Sequence, residues 1–140
     1  VERIQISYRN GFIIEKPAEA TDPQIRAALE KWLEHRLKDE VRDLIDHYAP
    51  KLNVNPGPVT ISSLKTRWGS CGKDGSIRVN WLLVMAPKPV LEYVVVHELC
   101  HLRYRNHSQE FWSLLTSVLP DFINSKHWLE KGRGLAGSSL

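Results

Sequence analysis

The sequence predicts an α+β fold, and three observations carry that prediction. Two pairs of short stretches read as strands around turn residues, and four longer stretches repeat apolar residues every three or four positions. No linker and no internal repeat divides the 140 residues. A chain of this length fills one core well and is too short for two ordinary domains.

A hairpin opens the chain over residues 3–15. Ile4, Ile6 and Tyr8 alternate with Gln5, Ser7 and Arg9, and Phe12-Ile13-Ile14 forms the returning strand. Asn10-Gly11 between them suits a type I′ turn, in which both central residues take positive φ. Thr21 or Asp22 then caps a helix with Pro23 at its first position, where a missing N–H costs nothing. Leu29, Leu33, Leu37, Val41, Ile45 and Tyr48 recur along it at helical spacing, and Pro50, Pro56, Gly57 and Pro58 mark its end. His35 and His47 fall among its charged residues as surface side chains. Residues 59–64 read as a strand by β-branched content, and residues 76–81 return as its hairpin partner after Lys73-Asp74-Gly75. Pro87 and Pro89 open the next helix. Asn106 and Gln109 form a capping pair for a helix bearing Phe111, Trp112, Leu114, Leu115, Val118 and Leu119. A last short helix holds Phe122, Ile123, Trp128 and Leu129. Residues 1–131 are expected to form one domain, and Val1, not a methionine, is the start expected of a fragment or of a processed form; residues 132–140 are expected to be a flexible tail.

Composition narrows the class. With 42% hydrophobic and 25% charged residues the chain is a soluble globular protein, and no apolar run approaches the ~20 residues of a membrane span. Only Cys71 and Cys100 are present, so a reducing, cytoplasmic setting is expected rather than a disulfide framework. Charge is uneven: residues 1–50 carry −2 and residues 51–140 carry +5, which allows an anionic or nucleic-acid-associated partner.

The chemistry gathers in Val94-Val95-Val96-His97-Glu98-Leu99-Cys100-His101, a His-Glu-x-x-His pattern inside an apolar run. Residues four apart share a helix face, so His97 and His101 point the same way, about 6 Å apart along the axis, and can share one metal ion. Glu98, about 100° round the helix, can reach a metal-activated water without being a ligand. His107 falls about 120° off that face if the helix continues, so the chain must bend first, and Asn106 tolerates the left-handed conformation such a bend uses. Burying two histidines and a carboxylate with no ion to balance them would be costly, which favours a metal site over hydrogen-bonded core histidines.

With Trp68-Gly69-Ser70-Cys71, Asn80, the motif helix and Asn106-His107-Ser108-x-x-Phe111-Trp112, the chain resembles the YgjP-like metallopeptidase family, related to the SprT-like and WLM zinc proteases. The resemblance runs from the first hairpin through Trp128-Leu129. It implies a zincin-like single domain, with a small antiparallel sheet or hairpins and the active-site helix packed among about three further helices. It also implies one Zn(2+) per chain held by His97, His101 and His107, with Glu98 as catalytic acid/base. Hydrolysis of a peptide bond in a polypeptide substrate would follow. The ligand spacing equals that of the metzincins, but Tyr104 stands at their glycine position and the one methionine, Met85, precedes the motif.

Around that centre, Trp68, Ser70, Asn80 and Tyr104 are candidates for substrate binding or for supporting the ligands. Tyr104, one turn past His101, could steady an oxyanion. Residues 67–71 are expected at the cleft edge, where main-chain groups can hold an extended peptide. Cys71 could occupy the open zinc position, and Cys100 reads as a small buried filler. Two alternatives stand beside the peptidase. One member of the resembled family is associated with UTP pyrophosphatase activity, and Lys65, Arg67, Lys73 and Arg78 could bind the phosphates of a nucleoside triphosphate. The other is a metal-stabilised, DNA-associated module without turnover.

Overall fold

The computed structural model describes residues 3–9, 11–64 and 66–131. The expected tail, residues 132–140, lies outside them. In chain order come β1 (Gln5–Tyr8), β2 (Phe12–Glu15), α1 (Asp22–Leu52), β3 (Val59–Ser62), β4 (Gly69–Cys71), β5 (Ile77–Asn80), a 3-10 turn (Trp81–Met85), α2 (Lys88–Cys100), α3 (Gln109–Val118) and α4 (Ile123–Glu130).

β1 and β2 pair antiparallel with Tyr8 opposite Phe12. Their connection therefore holds three residues rather than the two of a type I′ turn; Gly11 takes φ 146°, and Asn10 lies outside the described residues. α1 is longer than its prolines suggest. Thr21 caps it, its hydroxyl accepting from the Gln24 amide while the Gln24 side chain accepts from the Thr21 amide. The helix passes through Pro50 to Leu52 and ends on Asn53 in the left-handed conformation. Leu33, Leu37, Val41, Ile45, Tyr48 and Leu52 form its buried stripe, so Leu52 extends the packing face one turn beyond the predicted end.

The second sheet differs from the expected hairpin. β5 is its central strand, β3 pairs with it in parallel and β4 antiparallel, so the strand order is β3-β5-β4. The hairpin around Lys73-Asp74-Gly75 joins β4 to β5, not β3 to β5. Ile77 and Val79 are fully buried while Arg78 between them is exposed, giving β5 one core face.

α2 packs against α1, α3, α4 and β4. Val90, Leu91 and every residue of Tyr93–Cys100 are buried, the pattern of a helix enclosed on all sides. Polar groups there need partners or an ion. Among the described residues no helix is long and apolar enough to cross a membrane.

Candidate metal centre

α2 ends at Cys100, and His101 is its C-cap in right-handed geometry. The chain then turns through Leu102→Leu99 and Arg103→Cys100 amide-to-carbonyl bonds, a tightened last turn. The bend owes nothing to a left-handed Asn106: among the described non-glycine residues only Asn53 has positive φ. Ser108, not Asn106, caps α3, its hydroxyl accepting from the Phe111 amide. His107 thus sits just before that cap and is turned back toward α2.

One ligand atom from each of His97, His101 and His107 lies within 4.8 Å of the others. His97 Nε2 and His107 Nε2 are 3.1 Å apart. Two nitrogens each 2.0–2.1 Å from a tetrahedral ion stand roughly 3.3 Å from one another, so the spacing fits one ion. The tautomers fit as well. His101 Nδ1 lies 3.0 Å from the Tyr104 carbonyl oxygen, which can only accept, so Nδ1 donates and Nε2 keeps its lone pair. His97 Nδ1 lies 3.3 Å from Glu98 Oε2, and the same reasoning frees its Nε2. Burial lowers the pKa values of His101 and His107, which keeps both rings neutral and able to ligate near neutral pH. Glu98 is 3% exposed, a carboxylate that a dication beside it would balance. His97 is buried, His101 half-buried and His107 exposed, so the cluster opens toward solvent on the His107 side.

Aromatic rings frame the centre. Phe111, fully buried, lies 4.6–5.1 Å from the centroids of all three imidazoles and forms their floor. Trp112 stacks on His107 at 5.7 Å and on Phe122 at 5.5 Å, and Phe122 stacks on Tyr93 at 5.9 Å. The apolar periodicity of α3 marks Phe111 and Trp112 as core but not as the bed of the histidines.

The supporting residues divide. Asn80 is fully buried; its side-chain amide donates to the Leu64 and Arg67 carbonyls and its Oδ1 accepts from the Leu82 amide. It holds the loop before β4, and none of these three hydrogen bonds goes to a histidine. Trp68 is 5% exposed and packs near Trp128 at 6.2 Å, as scaffold. Ser70 sits on β4 opposite Arg78, in the sheet's edge strand. Tyr104 meets the cluster through its main-chain carbonyl; its ring lies against Arg103 and lines a surface depression with Gln109, Glu110 and Ser113. Cys71 is outside the histidine cluster and faces Arg105, whose Nη1 lies 3.6 Å from its sulfur. Burial raises the thiol pKa of Cys71, and that of Cys100 to about 12. Arg105, between the second and third histidines, is a residue that no motif singles out.

Fold and site together define a metallopeptidase domain. The chain belongs to the YgjP-like, metallopeptidase domain family, which matches residues 3–132. Its fold is shared with the metallopeptidase zymogen of Pyrococcus abyssi abylysin, 27% identical over 62% of this chain and 86% of that one, with a TM-score of 0.55. The metallopeptidase zymogen of Methanocaldococcus jannaschii jannalysin is 21% identical over 65% of this chain and 94% of that one, TM-score 0.58, a likeness of fold. A 57-residue stretch is 35% identical to the UTP pyrophosphatase of Escherichia coli (strain K12), covering 38% of this chain. The chain spans about a third of the length of that curated relative, 34%.

Proposed function

We propose that residues 1–131 form one domain that is a zinc-dependent peptidase, with His97, His101 and His107 holding one ion and Glu98 acting as general base. The observation that carries this is the convergence of the three ring nitrogens within 4.8 Å beside a buried carboxylate. Three neutral imidazoles suit zinc and leave one of its four positions open. Bound there, the ion supplies Lewis acidity, making water nucleophilic near neutral pH and polarising a carbonyl. Glu98 takes the proton from the attacking water and passes it to the leaving amine. Main-chain groups of β4, an edge strand packed on α2, hold the substrate polypeptide extended across the cleft. Asn80 fixes the loop that leads into that strand. The two free thiols agree with a cytoplasmic setting.

The test is Glu98→Gln. The variant should keep about one zinc per chain while cleavage of a denatured protein falls by 100-fold or more. Zinc loss or undiminished cleavage would sink the role given to Glu98.

Similarity to the UTP pyrophosphatase favours one second reading, a metal-dependent nucleotide hydrolase. Arg67, Lys73 and Arg78 are exposed on or beside the β4–β5 hairpin and could meet phosphates; Lys65 lies outside the described residues. Assaying one preparation on denatured protein and on nucleoside triphosphates, each with the Glu98→Gln control, separates the two. A DNA-associated module, which the +5 charge of residues 51–140 allows, would instead bind DNA with steep salt dependence and cleave neither.

A further inference from the structure

The edge that β4 offers can be read bond by bond. The Asn80 amide donates to the Trp68 carbonyl and the Gly72 amide to the Ser76 carbonyl, each at 2.9 Å. In an antiparallel pair the bonded positions alternate, so Trp68, Ser70 and Gly72 turn their main-chain groups toward β5. Gly69 and Cys71 turn theirs to the open edge. Four groups are thus directed to that side, two of them on the buried Gly69, and among the described residues one is taken by a side chain: Arg105 Nη2 donates to the Cys71 carbonyl at 3.1 Å. Arg105 Nη1 also donates to the Gly72 carbonyl at 3.3 Å and touches the Cys71 sulfur at 3.6 Å.

Arg105 comes from the short loop between His101 and His107. Its fork therefore ties the loop that presents the third histidine to the end of the strand that lies over Glu98.

We propose that Arg105 is a positioning residue for the cleft: it fixes β4 against the His107 loop and ends the substrate ladder at Cys71. The inference rests on the peptidase function proposed above. On that edge Gly69 is buried, and the half-buried Cys71 can give an extended peptide only its amide. Beyond that point the edge is closed by the guanidinium. Lysine cannot reproduce the fork, because a single ammonium replaces two planar donor groups. His107 is seated independently, by the Ser108 cap and the Trp112 ring, so the ion does not depend on Arg105.

Three variants test this in the full chain loaded with zinc. Arg105→Ala should speed hydrogen exchange in residues 69–72 about 10-fold and leave zinc content unchanged. In peptide cleavage it should raise KM about 10-fold, with kcat within about 3-fold. Arg105→Lys should recover part of both effects. Arg36→Ala, which removes an exposed arginine of α1 away from β4 and the histidines, should resemble the parent chain. Unchanged exchange in Arg105→Ala overturns the proposal, as does an unchanged KM in an active enzyme. A parent chain that cleaves no peptide defeats the peptidase function instead, and the exchange measurement then decides the role of Arg105 alone.

Discussion

Gly69 on β4 lies directly against Glu98 on α2. A Cβ built on Gly69 would stand 3.0 Å from Val94 Cγ1, 3.2 Å from Glu98 Cγ and 3.2 Å from the Arg78 carbonyl oxygen. The Arg78 carbonyl belongs to the paired strand and cannot yield, so either β4 lifts from the helix or Glu98 turns. Gly69→Ala should therefore cost about 1–3 kcal/mol, the range for an overpacked site. It should also lower peptide turnover by about 10-fold or more, because the strand and the proposed base are displaced together. A urea melt run beside the cleavage assay checks both, and an unaffected turnover would show that the contact does not set the position of Glu98.

The three histidines predict a metal-linked stability. Zinc free at about 100 times its dissociation constant adds about 2.7 kcal/mol, which for a chain of this size raises Tm by about 10 °C. His101→Ala should remove most of that rise, and Glu98→Gln should keep it, since the carboxylate is not among the three converging nitrogens. Calorimetry with zinc and with a chelator reads the difference; equal rises in the parent chain and His101→Ala would place the ion elsewhere.

Asn80 is where the β4 loop is held. Replacing it with alanine leaves two carbonyls and one amide without their side-chain partner, at a fully buried position. The expected loss is about 3 kcal/mol, with faster hydrogen exchange in residues 66–68. Asn80→Ala at parental stability would mean that water replaces the side chain there.

What could be read in advance follows from where the information lies along the chain. The long helix and the motif helix announce themselves locally, through apolar spacing, the Thr21–Gln24 cap and the prolines ahead of α2. β4 does not: Gly69-Ser70-Cys71 has no β-branched residue, and it becomes a strand only because β5 and α2 flank it. With β4 hidden, β3 takes the hairpin role by default, since parallel pairing leaves no turn signal to find. The third histidine was legible but its approach was not. A run of tightened turns after Cys100 bends the chain without any residue in the left-handed region, so the conformational tolerance of Asn106 was no guide. Arg105 has a role only in three dimensions, through carbonyls 33 and 34 positions earlier.

Tyr48 joins the two central helices, donating from α1 to Glu92 on α2 over 2.6 Å. Tyr48→Phe keeps the buried ring and removes a hydrogen bond to a charged acceptor, so it should cost about 1.5–3 kcal/mol while zinc content stays the same. A second consequence lies in pH. Burial, reinforced by the Glu92 hydrogen bond, raises the Tyr48 pKa above its ordinary 10.0. The folded chain then keeps a proton that the unfolded chain gives up. This share of stability is fully present below about pH 10 and is lost as pH rises beyond it. Phenylalanine cannot ionise in either state, so above pH 10 the variant should lose stability less steeply than the parent chain. Urea midpoints for both chains at pH 8, 10 and 11 measure the two slopes; parallel slopes would detach Tyr48 from the alkaline loss.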